Sequence, residues 1–293
     1  MSGVRSRTSL RLPVNELNQL SYRPESYYIT YVVRVVMIVL LTGVGLLAAS
    51  QGSGPSEHTV ATVRVAAAAD LKFALDEVAV RLAARQPPIR VEATYGSSGS
   101  MHAQLRQRAP YDVYLSADIG YPRDLVSRGI GADGDLFTYA VGQLVVWVPH
   151  RSILPVERNG IGALAGALRI AIANPRHAPY GQAAEAALRG AGLWDRVARK
   201  LALGENVAQA AQFVQSGAAD ASIIAKSLAL APAMRAAGRF WEVPEKAYPP
   251  LTQGGLILPW AVSRAGAAGL RDYLLSVEGR RLLASHGFGL AAR

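Results

Sequence analysis

The chain has 293 residues, 51% of them hydrophobic, and a formal net charge of +10. This length and composition suit one large or two medium-sized globular domains. The basic residues are scattered, without a Lys/Arg block or a nucleic-acid-binding motif, so we expect no nucleic acid as a partner. The absence of cysteine excludes disulfides, thiolate catalysis and cysteine-based zinc sites.

The N-terminal segment is typical of an export signal. An uncharged apolar stretch covers residues 35–50, follows Arg34 directly and ends in small residues. A basic lead before such a stretch predicts that residues 1–50 are a secretory signal peptide, cleaved near Ser50. An uncleaved N-terminal anchor is the alternative. Residues 51–59 are then a polar linker, the folded part begins near Val60, and the protein works in the periplasm or another extracytoplasmic space.

Strands and helices alternate along the rest of the chain. Periodicity predicts strands at residues 63–68, 89–95, 113–116, 144–148, 169–173, 221–224 and 255–258. It predicts helices at residues 71–85, 100–107, 121–128, 182–191, 206–216, 265–275 and 278–286. This alternation indicates an α/β fold of mainly parallel sheets with helices on both faces. In such sheets ligands bind beyond the carboxyl ends of the strands, where helices begin.

The first strand–helix junction carries four alanines and an aspartate, AAAAD, at residues 66–70. The small side chains let the backbone approach a ligand closely, so that the N–H groups of Ala69 and Asp70 can face a bound anion. An Asp at this position is also a natural N-cap, and that structural role alone would explain it.

The second junction is YGSSGS, at residues 95–100. Two glycines free the backbone, and the hydroxyls of Ser97 and Ser98 can hold an oxyanion together with N–H groups of the next helix. The segment is not a phosphate loop of the G-x-x-x-x-G-K-[ST] type, because no Lys follows. A polar turn with a serine cap is the alternative interpretation.

Two further helix starts lie in NPRHAPYGQAA, residues 174–184, and LGENVAQAAQ, residues 203–212. In the first, Tyr180 offers a phenol hydroxyl and a backbone N–H, although it can equally be a packing residue on a surface loop. In the second, Asn206 is a good N-cap that leaves the N–H of Val207 unpaired. Taken together, four such starts can bind a small dianion with neutral donors alone.

Six segments of the chain, in order, resemble the molybdate-binding proteins of bacterial ABC importers. They are VAAAADLKFALDE, TYGSSGSMHAQL, APYDVYLSADIGYPRDLV, IAIANPRHAPYGQAAEAAL, LGENVAQAAQFVQSGAADASII and EGRRLLASHGFGL. The resemblance implies a two-lobed periplasmic-binding-protein fold of type II with a hinge between the lobes. It implies a first lobe at residues 60–139 plus 250–293, a second lobe at 140–249, and hinge crossings near 144–148 and 252–258.

The resemblance also implies the function. The protein would trap molybdate or tungstate between its lobes and deliver it to a membrane permease with a cytoplasmic ATPase. It would be a monomer that catalyses no reaction and carries no cofactor. Molybdenum would enter only as its oxyanion, without direct ligation by the protein.

Carried over position by position, the family contacts fall on Asp70 and Ser98 in the first lobe and on Tyr180 and Val207 in the second. Many members have Ser where this chain has Asp70. An ionised Asp cannot donate and repels an anion, so we expect its carboxylate to turn toward its own helix while the N–H of Ala69 or Asp70 makes the contact.

Three other positions are further candidates. Ser97 neighbours the serine contact, and Asn206 precedes the helix-start contact. A tyrosine of the family aligns with Ala225, so that hydroxyl donor is missing here, and the hydroxyl of Tyr180 would replace it.

Three other functions remain open from the residues. The ligand can be another oxyanion, such as sulfate, thiosulfate or phosphate, with Asp70 accepting a proton that the ligand carries. A serine hydrolase would use Ser98 and His102, but no third group is expected to orient the histidine. A membrane-anchored interaction protein would result if residues 35–50 stay attached.

Overall fold

The computed structural model describes residues 60–291, so the predicted signal peptide or anchor and the linker lie outside the described residues. Its strands are β1 (Ala61–Ala68), β2 (Ile89–Gly96), β3 (Val113–Ser116), β4 (Leu136–Gly142), β5 (Leu144–Pro149), β6 (Ile170–Ala173), β7 (Leu201–Gly204), β8 (Ala221–Ala225), β9 (Gly238–Glu242) and β10 (Leu251–Ile257).

Most helices begin within a few residues of their predicted starts. The α-helices are α1 (Lys72–Ala83), α2 (Ser98–Arg106), α3 (Gly120–Ser127), α4 (Val156–Asn159), α5 (Pro179–Gly190), α6 (Trp194–Val197), α7 (Val207–Gln215), α8 (Lys226–Ala229), α9 (Pro232–Ala237), α10 (Arg264–Leu275) and α11 (Val277–Ser285). Short 3-10 helices cover Ala69–Leu71, Asp133–Asp135, Gly160–Gly166, Ala198–Lys200 and Glu245–Ala247. None of these helices is long and apolar enough to cross a membrane.

The strands form two mixed sheets, each the centre of one lobe. The first sheet has the order β2-β1-β3-β10-β4, and the second has the order β7-β6-β8-β5-β9. In the first sheet β2, β1 and β3 are parallel, and β10 pairs antiparallel with both β3 and β4. In the second sheet β7, β6 and β8 are parallel, and β5 pairs antiparallel with both β8 and β9. Four of the five strands in each sheet therefore run in the same direction, which confirms the expectation of parallel-rich sheets. The strands β4, β7 and β9 were not predicted.

Helices cover both faces of the first sheet because the side chains of its strands alternate between two apolar clusters. Val65 and Leu115 face the cluster that α1, α10 and α11 complete. Ala66 and Tyr114 face the other cluster, which α2 and α3 complete. This two-sided burial fixes where each strand ends and its helix begins, and therefore fixes the junctions at the sheet edge.

The chain passes between the two sheets at Gln143 and again over residues 243–250. The hinge crossings expected near 144–148 and 252–258 adjoin these two connections, although β5 and β10 themselves pair inside the sheets, and the hinge stays a prediction. The first sheet also runs beyond the expected lobe boundary at residue 139, because Ala140 and Val141 pair with β10.

Candidate oxyanion site

A small cavity lies between the lobes, where strand ends and helix starts from both sheets meet. Its empty volume is about 190 Å³. From the first lobe it is lined by Ala68, Ala69, Asp70, Gly96, Ser98 and Ala117. From the second lobe it is lined by Ala178, Pro179, Tyr180 and Val207. Five of the predicted contact residues, Ala69, Asp70, Ser98, Tyr180 and Val207, are thus brought together.

Ser98 begins α2 and is oriented by two hydrogen bonds. Its Oγ accepts from the backbone N–H of Ala117 at 2.9 Å, and its carbonyl oxygen accepts from the hydroxyl of Tyr114 at 2.7 Å. The residue is 1% exposed. Because a hydroxyl has one proton and Oγ already acts as an acceptor toward Ala117, the proton of Ser98 remains for an acceptor in the cavity.

Asp70 does not cap its helix, and the expectation that its carboxylate turns toward that helix is wrong. The 3-10 helix begins at Ala69 with Ala68 as N-cap, without a capping side-chain hydrogen bond. The carboxylate Oδ2 instead accepts from Nε2 of Gln253 on β10, and the hydroxyl of Tyr180 lies beside it. The reason is packing: Asp70 is 1% exposed, and Gln253 supplies the nearest strong donor in that interior.

The buried setting of Asp70 weakens its acidity. Burial raises the pKa of the Asp70 carboxyl to about 6, against the opposing effect of the nearby donor groups of Gln253 and Tyr180 and of the backbone N–H groups of Asp70 and Leu71. Its Oδ1 has no hydrogen-bond partner among the described residues. The cavity therefore contains a carboxyl group that can exchange its proton near neutral pH.

Tyr180 contributes to the cavity from the first turn of α5. Ala178 is the N-cap of this helix but gives no side-chain cap, and Pro179 has no N–H, so the N–H of Tyr180 is available to an external acceptor. The phenol hydroxyl lies next to Gly142 and accepts from Nε2 of Gln253 at 3.4 Å. Burial, and then the charge of Asp70, raise the pKa of this phenol well above its ordinary value.

Val207 is the first residue of α7 and offers its backbone. The side-chain Oδ1 of Asn206 accepts from the N–H groups of Ala208 and Gln209, both at 3.0 Å. The cap therefore leaves the N–H of Val207, a residue 4% exposed, as a donor for the cavity. Asn206 acts as the N-cap and does not line the cavity.

Ser97 lies at the rim of the cavity and joins the two lobes. Its Oγ is 2.9 Å from Nδ1 of His177, and the N–H of Gly99 donates to the carbonyl oxygen of His177 at 2.8 Å. Ser100 donates to Oε1 of Glu205 at 2.7 Å, and Glu205 also lies 3.4 Å from His177. We call these five residues the rim cluster; Ser97 belongs to it and does not line the cavity.

Ala225 ends β8 and is fully buried, away from the cavity lining. Two residues later, the hydroxyl of Ser227 donates to the carbonyl oxygen of Asp70 at 2.8 Å, which links α8 to the first lobe. Sequence reasoning missed this contact, because a serine in a short helix gives no signal of a partner in the other lobe.

Sequence reasoning also missed Gln253, which is fully buried and bonds to two residues of the cavity lining. Its Oε1 accepts from the hydroxyl of Tyr139 at 2.9 Å, and its amide donates to Asp70 and Tyr180. A polar residue in the middle of the apolar strand segment LTQGGLI was the available signal, since a buried amide needs partners.

A hydrolytic arrangement of Ser98 and His102 is not formed. His102 places Nε2 at 2.7 Å from Asp124, so a group that orients the histidine does exist, contrary to expectation. No hydrogen bond joins His102 to Ser98 in the described structure, however. Within residues 60–291 no group of three or more His, Cys, Asp or Glu could hold a metal ion.

Larger hollows occur on the surface, but they lack convergent buried donors. One of about 750 Å³ lies on the second lobe and is lined by Arg151, Ile153 and Leu168. Ile153 and Leu168 are almost fully exposed. The small cavity between the lobes is the better candidate because its polar groups are buried and point inward from several helix starts.

The chain is similar to several known proteins. The model of the bacterial extracellular solute-binding protein family matches residues 63–289. The molybdate-binding protein ModA of Azotobacter vinelandii is 32% identical over 86% of this chain and 97% of its own length. ModA of Rhodobacter capsulatus is 32% identical over 68% of this chain and 77% of its own length.

Solved structures confirm the two-lobed fold. The periplasmic molybdate-binding protein of A. vinelandii has a TM-score of 0.73 at 29% identity, covering 78% of this chain and 100% of that one. The sulfate-binding protein SubI of Mycobacterium tuberculosis shares the fold alone, with a TM-score of 0.63 at 17% identity over 78% of this chain and 86% of that one. The chain therefore belongs to the bacterial extracellular solute-binding protein family.

Proposed function

We propose that this protein captures molybdate, or the isostructural tungstate, in the cavity between its lobes and delivers it to the permease of an ABC importer. The observation that carries the proposal is the convergence of neutral donors from both lobes on one small enclosed cavity. The hydroxyl of Ser98 lies on one side, and the N–H groups of Tyr180 and Val207 lie on the other. The names of the ModA relatives support molybdate as the oxyanion.

Neutral donors suit a dianion because several oriented dipoles can replace its hydration shell without a fixed counter-charge. The cavity lining contains no Lys, Arg or His. Its small size excludes larger solutes. Selection between molybdate and sulfate then depends on the spacing of the donors. The metal–oxygen bonds of molybdate are longer than the sulfur–oxygen bonds of sulfate, so donors spaced for molybdate are too far apart to bind sulfate well.

Delivery requires an open and a closed form, with the oxyanion favouring the closed one because both lobes then donate to it. The described structure is closed, with Asp70 of the first lobe and Tyr180 of the second both almost fully buried. In this proposal the protein acts as a monomer outside the cytoplasmic membrane, catalyses no reaction and needs no cofactor. Its partners are the permease and the attached ATPase.

Isothermal titration of the purified chain with molybdate, tungstate, sulfate and phosphate tests the proposal. We expect tight binding of one molybdate or tungstate per chain, with sulfate and phosphate giving no heat. Heat from sulfate alone, or no heat from any of the four anions, would contradict it.

A second candidate is an oxyanion that carries its own proton, such as hydrogen phosphate. It is favoured by one observation, the partnerless Oδ1 of Asp70, which as a carboxylate could accept that proton. The same titration separates the two candidates, because a site for hydrogen phosphate would give binding heat with phosphate and none with molybdate.

A further inference from the structure

The cavity holds a buried carboxyl group with one oxygen unused. Oδ2 of Asp70 is engaged by Gln253, whereas Oδ1 has no hydrogen-bond partner among residues 60–291. A buried polar atom without a partner is costly unless a ligand or a proton satisfies it. Asp70 is one of the residues that line the cavity, so an anion bound there would be a neighbour of its carboxyl group.

A dianion beside an ionised Asp70 would bring like charges together in a nearly water-free space. The groups that face Asp70 offer no compensating cation. Tyr180 on α5, Tyr139 on β4, Gln253 on β10 and Ser227 on α8 are neutral donors. α7, which also packs on this turn, has no charged residue.

The nearby amines are paired elsewhere, Lys226 with Glu242 at 2.7 Å and Lys72 with Asp76 at 2.9 Å. In the rim cluster, Nε2 of His177 lies 3.4 Å from Oε2 of Glu205. A proton on the carboxyl group would relieve this charge conflict.

Building on the proposed function, we propose that Asp70 binds the oxyanion in its protonated form, donating Oδ1–H to a ligand oxygen. The capture of molybdate is then coupled to the uptake of one proton. A carboxylic acid thus supplies the hydroxyl donor that a serine would supply at the same helix start.

The surrounding hydrogen bonds place this proton on Oδ1. Oε1 of Gln253 accepts from the hydroxyl of Tyr139, so the amide N–H groups of Gln253 are turned toward Asp70. The same hydroxyl of Tyr139 also lies 3.1 Å from the carbonyl oxygen of Ser116. Oδ2 is consequently an acceptor, and Oδ1 is the oxygen left to carry hydrogen. Burial already raises the pKa of Asp70 to about 6, and an adjacent dianion raises it further.

The coupling predicts how affinity depends on pH. Where the ligand-free protein has an ionised Asp70 and the complex a neutral one, the dissociation constant rises about tenfold for each pH unit. From about pH 6 to about pH 8 we expect a loss of affinity of roughly 50-fold, with about one proton taken up per molybdate at the upper end. Molybdate itself remains a dianion over this range, so the proton must enter the protein.

The test is isothermal titration of the purified chain with molybdate between about pH 6 and about pH 8.5, in buffers of different ionisation enthalpy, which counts the protons taken up. Asp70→Asn keeps the shape of the side chain and offers an amide N–H in place of the acid proton. We therefore expect this variant to bind molybdate with an affinity that does not depend on pH and to take up no proton on binding. His177→Gln is the matched control for proton uptake at the rim, and its proton count is expected to equal that of the parent chain.

The outcomes distinguish this inference from the proposed function. Molybdate binding whose affinity is independent of pH, without proton uptake, would overturn the role of Asp70 and leave the proposed function standing. Loss of the proton count in His177→Gln but not in Asp70→Asn would also overturn it. An absence of molybdate binding at every pH would overturn the proposed function itself, and binding of phosphate instead would place the proton on the ligand.

Discussion

At the scale of single residues, the site depends on polar groups whose remaining hydrogen-bonding capacity is fixed by their neighbours. Ser98 is the simplest case, because its Oγ already accepts from the N–H of Ala117 and its hydroxyl proton remains to be donated into the cavity. The same logic applies to the N–H groups of Tyr180 and Val207, which the local caps leave unused. Orientation of this kind lets neutral groups bind a charge strongly, since little reorganisation is needed on binding.

Ser98→Ala removes one donor from the enclosed anion. We expect molybdate to bind more weakly by about 1–3 kcal/mol, because a buried charged acceptor loses a hydrogen bond. Titration calorimetry measures this loss. Ser216→Ala, at an exposed hydroxyl that contacts only the carbonyl of Phe213, is the control and should keep the parent affinity. Equal affinities of Ser98→Ala and the parent chain would remove Ser98 from the site.

Asp70 also carries a cost for the ligand-free fold. Because its folded pKa of about 6 exceeds its ordinary value of 3.8, its stabilising contribution is complete at low pH and is lost as pH rises through about 6. Asp70→Asn abolishes this loss, so the free energy of unfolding should exceed that of the parent chain by about 2–3 kcal/mol near pH 8 and by only about 0.5 kcal/mol near pH 4.

Urea denaturation at the two pH values measures this difference. A variant that is less stable than the parent chain near pH 8 would show that the ionised carboxylate is well accommodated in the fold.

At the scale of elements, the start of α2 is where the lobes close on each other. A Cβ at Gly99 would lie 2.5 Å from the carbonyl oxygen of His177, so only glycine allows this approach. The N–H of Gly99 also donates to that oxygen. The glycine that looked in the sequence like part of a flexible anion loop therefore serves contact between the lobes.

Gly99→Ala should separate folding from closure. Alanine favours the helix by up to about 1 kcal/mol, yet its methyl group blocks the approach of His177. We expect unchanged or higher thermal stability without ligand, but at least about tenfold weaker molybdate binding, equivalent to about 1.4 kcal/mol.

The matched control is Gly134→Ala, where a Cβ would have open space. Small-angle X-ray scattering should show that molybdate compacts the parent chain and the control more than Gly99→Ala. Parent-like affinity and compaction in Gly99→Ala would show that this contact does not limit closure.

The sequence predicted elements well wherever the signal was local. Helix starts such as those of α2 and α7 follow from Ser and Asn caps, which act within one turn. The strands β4, β7 and β9 were missed because they are stabilised by partners distant in sequence: β4 pairs with β10, and β9 pairs with β5. The orientation of Asp70 was missed for the same reason, because its partner Gln253 is 183 positions away.

At the scale of the whole molecule, the two sheets meet at one small cavity whose walls come from both lobes. Alanines of the first lobe, Ala68, Ala69 and Ala117, pack in the same apolar cluster as the second-lobe core. Closure therefore buries apolar surface as well as polar donors, and a ligand adds the interaction that favours the closed form. The coupling between binding and lobe movement is what an importer requires of its binding protein.

The central claim is that the oxyanion occupies this cavity, and the most direct test is a crystal structure of the molybdate complex with anomalous data collected at the molybdenum edge. We expect a single anomalous peak between Ser98, Asp70 and the first turns of α5 and α7, in a closed molecule. A peak outside this cavity, or crystals grown with molybdate that show none in it, would contradict the claim.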